Sequence, residues 1–178
     1  MLNLLKLMNL KIDVLTKDHE KKGFNCGKLL LDNYFHKQAG QDAQKDLSVC
    51  YVLTDTDKNE NRVIGYYTLS NNSMPWDDLP EELAKKIPKS YAVPTALLGR
   101  LAVDESEQGN HYGEMLLFDA LDKCIETSKK IGLYAVIVDP IDDKAVTFYE
   151  SYGFIMLPDI NKMFIPIKTI EDSFPEKH

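Results

Sequence analysis

Residues 97–117 read LLGRLAVDESEQGNHYGEMLL, and the succession of residue types in this stretch decides the fold. Its first part belongs to TALLGRLAV at 95–103, an apolar run broken by Gly99 and Arg100. Such a run predicts a strand buried on both faces. DESEQGNHYG at 104–113 then takes on the polar, glycine-containing composition of a turn. From about 111 to 129, Leu116, Leu117, Ala120, Leu121, Cys124 and Ile125 recur at helical spacing and predict an amphipathic helix. Strand, glycine turn and helix in that order make a natural anion site. The N–H groups at a helix start point outward, and the helix dipole favours negative charge there. Gly109 and Gly113 permit backbone conformations or close approaches that a Cβ would block. The spacing is neither that of a P-loop nor that of a dinucleotide-binding turn. On pattern alone the unit is either a phosphate site or ordinary packing.

Working outward, residues 11–16 alternate as a strand and 27–44 read as one helix, with Leu30, Tyr34 and Ala39 near one face. Residues 48–55 and 62–70 are rich in β-formers and flank the polar TDKNEN, which predicts a hairpin. The prolines of MPWDDLPEELAKKIPKSYAVP bracket a short helix at about 79–86, a structured insertion. Downstream, 133–138 predicts a buried strand, 143–151 a short helix, and 154–157 and 162–167 two closing strands. The whole reads as one mixed α/β domain over residues 1–178. The apolar start, MLNLLKLMNL, is interrupted by Lys6 and too short to span a bilayer, so it reads as a leader into the first strand or as a partly ordered terminus.

The chain has 178 residues, is 44% hydrophobic and carries a formal charge of −7. Residues 1–60 hold nine lysines and nine carboxylates, so the excess of negative charge falls in 61–178. An acidic chain disfavours broad nucleic-acid binding unless a local basic patch exists. Three cysteines, Cys26, Cys50 and Cys124, with no CxxC pair, point away from a disulfide framework or metal site and fit a reducing cytoplasm.

LGRLAVD followed by QGNHYG resembles motif A of the GNAT superfamily of N-acetyltransferases. DDKAVTFYESYGF at 142–154 is similar to the family's motif B, at the expected distance. FNCGKLLLDNYF, GYYTLSNNSM and LPEELAKKIP resemble the subgroup that includes acetyltransferase toxins of bacterial toxin–antitoxin pairs. The similarity runs from about residue 24 to 155. It implies a mixed, mostly antiparallel central sheet flanked by helices, and acetyl-CoA as cofactor. Leu101, Ala102 and Val103 would offer backbone N–H groups to the acetyl carbonyl and pantetheine arm. Gln108, Gly109, Asn110, His111, Tyr112 and Gly113 would hold the pyrophosphate, with Asp142 opening motif B. Tyr149 would give a proton to the departing sulfur, and a primary amine would attack directly, without a covalent enzyme intermediate. His111 stands where the family has glycine, and Asp142 where it often has Asn.

Each role has a plainer competitor. Ala145, Phe148, Tyr149 and Tyr152 share a helix face, so Tyr149 is either core or proton donor. His111 is either a solvated turn residue or a general base. Glu105, Glu107 and Glu114 read as solvated charge, and His19, His36 and His178 carry no motif. Arg100, inside an apolar run, calls for either a structural ion pair or a substrate or phosphate contact. The main functional expectation is acetyl transfer to an unidentified amine. The alternatives are a toxin that acetylates aminoacyl-tRNA and pairs with a small antitoxin, and a non-catalytic CoA-binding module. A homodimer, a cytoplasmic location and no membrane contact complete the expectations.

Overall fold

The computed structural model describes residues 9–57, 59–157 and 159–173. The leader's residues 1–8 and His178 lie outside them. The elements in chain order are β1 (Leu10–Val14), α1 (Leu29–Lys37), α2 (Ala39–Gln44), β2 (Val49–Asp55), β3 (Asn59–Met74), α3 (Glu81–Ala84), β4 (Val93–Val103), α4 (Tyr112–Ser128), β5 (Ala135–Val138), α5 (Asp143–Glu150), β6 (Ile155–Met156), β7 (Met163–Pro166) and α6 (Ile167–Ser173). Among the described residues, seven strands form a mixed sheet in the order β1-β2-β3-β4-β5-β7-β6. The pairs β1–β2, β2–β3, β5–β7 and β6–β7 are antiparallel, and β4–β5 is parallel. This is the mixed α/β architecture that the sequence implies.

By contacts the chain divides into two compact units. One comprises the segment ending at Ser70 together with Arg100–Ala120, the other Asn71–Gly99 together with the segment from Leu121 onward. In the first unit the strand period of two sends the tyrosines of GYY to opposite faces. Tyr66 packs in an aromatic cluster with Phe35 (4.4 Å, stacked) and Phe24 (5.4 Å, edge-on), and its hydroxyl donates to the Leu31 carbonyl at 2.9 Å. Tyr67 stacks on Tyr51 and donates to Asp119 on α4 at 2.5 Å. Gly65 is required by close packing: a Cβ there would meet Leu116 Cδ1 at 2.8 Å and the Ala102 carbonyl at 3.2 Å. The second unit has its own core of Met74, Leu79, Val93, Ala135, Ile137, Leu157 and Phe164. Trp76 borders that core and donates to the Ile87 carbonyl at 2.8 Å, pinning the proline-bracketed insertion.

Four features depart from expectation. The single helix expected at 27–44 is two, because the backbone turns at Gln38 (φ −117°). Leu30 is 72% exposed, and the buried face is Leu31, Asp32, Tyr34 and Phe35. β3 runs to Met74, four residues past the expected end, and the chain adds α6 after its last strand. Among the described residues, no helix is long and apolar enough to cross a membrane, and no cluster could hold a metal ion.

Candidate active site

β4 pairs with β5 from Thr95↔Ala135 to Leu98↔Val138. Leu101, Ala102 and Val103 complete the strand beyond the residues of that ladder and belong to the first unit. Extended strand presents the N–H groups of alternate residues along one edge, the kind of donor that a thioester carbonyl and an amide-bearing arm require. At the strand end Asp104, a buried carboxylate, starts the turn. It accepts from the Ser106 N–H at 3.1 Å, the Ser106 hydroxyl at 2.5 Å and the Asn25 N–H at 3.0 Å. Arg62 lies 3.6 Å from Asp104 and also reaches Glu107 (2.7 Å) and the Ser106 hydroxyl (3.0 Å). Burial alone would raise the Asp104 pKa. The hydrogen bonds from Ser106 and Asn25 and the Arg62 charge outweigh it, and the carboxyl is held below its ordinary value of 3.8.

Beyond this anchor the backbone curls. Gly109 has φ +84° and His111 φ +61°, while Gly113 sits inside the first turn of α4. His111 therefore occupies the left-handed conformation that glycine would take without strain. Among the bonds between described residues, none is made by the N–H groups of Gly109, Asn110, Tyr112 or Gly113. Such a run of free donors at a helix start is a cradle of the right polarity for a diphosphate. The side chains around it are spoken for. Asn110 donates to the Glu107 carbonyl, His111 pairs with Glu114 at 2.8 Å, Tyr112 is buried, and Gln108 donates to the carbonyls of Cys26 and Val103. The residues fit the CoA pyrophosphate through main-chain groups. Glu105, Glu107 and Glu114 are not merely solvated: Asn25, Arg62 and His111 engage them. Arg100 makes no ion pair with a described carboxylate, and its guanidinium stacks 3.5 Å over the Tyr34 ring.

Asp142 and Tyr149 belong to the second unit, at the start and near the end of α5. Asp142 is the N-cap: its carboxylate accepts from the Ala145 N–H at 2.9 Å. Tyr149 is the buried residue of its helix face, with Phe148 and Phe154 against its ring at 5.2 and 5.3 Å. Among the described residues its hydroxyl has no hydrogen-bond partner, and burial pushes its pKa up, so the phenol keeps its proton at neutral pH. Burial likewise pushes the thiols of Cys26, Cys50 and Cys124 up to about 12, which leaves them poor nucleophiles. The sequence reading missed Asn25, Arg62 and Asp104. Their signal was an Asp closing an apolar strand and an Asn two residues before a glycine.

Residues 14–154 match the acetyltransferase (GNAT) family. The chain is 32% identical over 160 residues to a probable toxin TacT of Sinorhizobium fredii, covering 85% of this chain and 87% of that protein. It is 36% identical over 135 residues to a tRNA-acetylating toxin of Mycobacterium tuberculosis, covering 76% and 78%. Among solved structures, a Tyr→Phe variant of KacT superposes with a TM-score of 0.86 at 33% identity, over 93% of this chain and 99% of that one. AtaT complexed with acetyl-methionyl-tRNAfMet gives 0.84 at 33% identity with the same coverage. A Tyr→Phe variant of AtaT, bound to acetyl-CoA and the C-terminus of the antitoxin AtaR, gives 0.79 at 29% identity over 94% and 99%.

Proposed function

This chain belongs to the acetyltransferase (GNAT) family, and we propose that it places the acetyl group of acetyl-CoA on the α-amine of an aminoacyl-tRNA, as a toxin restrained by a small antitoxin. Acetyl transfer from acetyl-CoA is its reaction; the acceptor is the proposed part. The observation that carries the proposal is the likeness, across nearly the whole chain, to AtaT with its acetylated tRNA.

When bound, acetyl-CoA supplies an activated thioester. The end of β4 at Leu101, Ala102 and Val103 would offer backbone N–H groups to the carbonyl as negative charge grows on it. The free N–H groups from Gly109 to Gly113 and the start of α4 hold the diphosphate and so fix the thioester along the strand. The deprotonated amine would attack, the C–N bond would form as the C–S bond breaks, Tyr149 would give its proton to the departing sulfur, and the proton shed by the nitrogen would restore the phenol. Acetyl-CoA and charged tRNA both place the reaction in the cytoplasm.

Incubating the purified chain with radiolabelled acetyl-CoA and aminoacylated tRNA tests the acceptor. Label should appear on the amino acid and leave the tRNA with it under mild alkali. Label absent from charged tRNA but present on free amines or peptides would move the acceptor to that class.

A further inference from the structure

The segment Phe24, Asn25, Cys26 and Gly27 is far in sequence from the cofactor turn and fastened to it at several points. Asn25 accepts from the Glu105 N–H through its carbonyl (2.8 Å), donates its own N–H to Asp104 (3.0 Å), and donates its side-chain amide to Glu105 Oε2 (3.0 Å). Gly27, at φ +77°, lets Glu105 approach: a Cβ there would fall 2.3 Å from Glu105 Oε1. Gln108 closes the loop from the other side. Its amide nitrogen donates to the Cys26 carbonyl at 3.2 Å and to the Val103 carbonyl at 3.0 Å.

A carboxamide has two N–H donors and one acceptor oxygen. With both donors on the protein's own carbonyls, the side chain of Gln108 has only its oxygen left, and an oxygen acceptor cannot hold a phosphate. Yet Gln108 immediately precedes the two left-handed positions, Gly109 and His111, and joins the last carbonyl of β4 to residue 26. We infer that Gln108 and Asn25 are positioning residues, a strap by which the 24–27 segment holds the cofactor turn in its binding conformation without touching the cofactor. This rests on the acetyl-CoA reading of the turn and extends it to residues with no direct contact.

The test is a double-mutant cycle on the full chain, Gln108→Leu and Asn25→Ala, read by calorimetric affinity for CoA and by KM against kcat for acetyl-CoA. Gln108→Leu keeps length and removes both donors. Asn25 is exposed, so its variant keeps the aromatic core, and melting curves check both. Each variant should weaken CoA binding about tenfold, the scale of one or two lost hydrogen bonds. KM should rise with kcat nearly unchanged, and the double variant should lose clearly less than the product of the two single losses, because both fasten one segment. Affinity lost in Gln108→Leu but kept in Asn25→Ala would make Gln108 a direct ligand and overturn the strap. Unchanged affinity in both variants would overturn it and leave the cofactor turn standing. No CoA binding by the unaltered protein would remove both.

Discussion

Burial keeps the Tyr149 phenol protonated, the state a donor to sulfur must be in, and its ring is wedged between Phe148 and Phe154. Tyr149→Phe removes one hydroxyl from this setting and leaves the packing. A thiol with an ordinary pKa of about 8.5 can depart unaided, so the loss should sit near the low end for general acids, a fall in kcat of about 10²-fold. CoA affinity and melting temperature should stay near those of the unaltered protein. If Tyr149 served only the core, turnover would survive and the defect would show in the melt. Gly109 poses a different question, since nothing lies within 4 Å of a Cβ placed there but φ is +84°. Gly109→Ala should therefore cost only the left-handed conformation, about 1 kcal/mol. Gly109→Asp adds a negative charge at the phosphate cradle and should abolish CoA binding in calorimetry. A folded Asp variant that binds CoA normally would place the diphosphate elsewhere. His111 pays the same conformational cost in the native chain. His111→Gly should relieve it, partly offset by glycine's larger unfolded-state entropy, and raise Tm by about 1–3 °C.

The turn between β4 and α4 depends on charge more than its sequence suggests. Asp104 titrates below its ordinary value, so its folded pKa lies beneath the unfolded one. Its stabilisation is complete above the ordinary carboxylate range and fades as pH falls through the depressed value. Asp104→Asn should therefore lower the urea midpoint at pH 7, and the gap from the unaltered protein should narrow near pH 3. A gap independent of pH would mean that Asp104 acts through shape and not charge. This turn also marks what the sequence could reveal. The helical stripe of α4 was legible because burial leaves a periodic trace, and all six stripe residues are buried; β4 was legible as an apolar run, although it is half-buried along much of its length and not buried on both faces. Motif B was legible as a pattern, and its helix starts with the Asp142 cap. The run LLLDNYF was not, because three adjacent leucines allow several faces and only tertiary contact selects Leu31 over Leu29 and Leu30. Nor could spacing reveal that the Gln108 amide is spent on the Cys26 carbonyl, a partner 82 residues away.

The chain's charge of −7 opposes a polyanionic acceptor at long range, and this sets a test at the scale of the whole molecule. The excess carboxylates fall in residues 61–178, whereas residues 1–60 balance nine lysines against nine acids. A tRNA would have to dock through local basic side chains while the rest of the surface repels it. Phosphate contacts of that kind release counterions, so affinity falls steeply as salt rises. Acetylation of charged tRNA at subsaturating concentration should drop by about tenfold or more between 50 and 200 mM salt, as expected for even a few phosphate contacts. An acceptor such as a free amino acid or short peptide makes no such contacts, and its acetylation should change little over the same range. The two behaviours separate a macromolecular acceptor from a small one in a single assay, and Tyr149→Phe supplies the background rate. Induced expression adds the cellular readout: growth should stop with the unaltered chain and recover in Tyr149→Phe. Arrest that persists in the variant would trace the effect to something other than acetyl transfer.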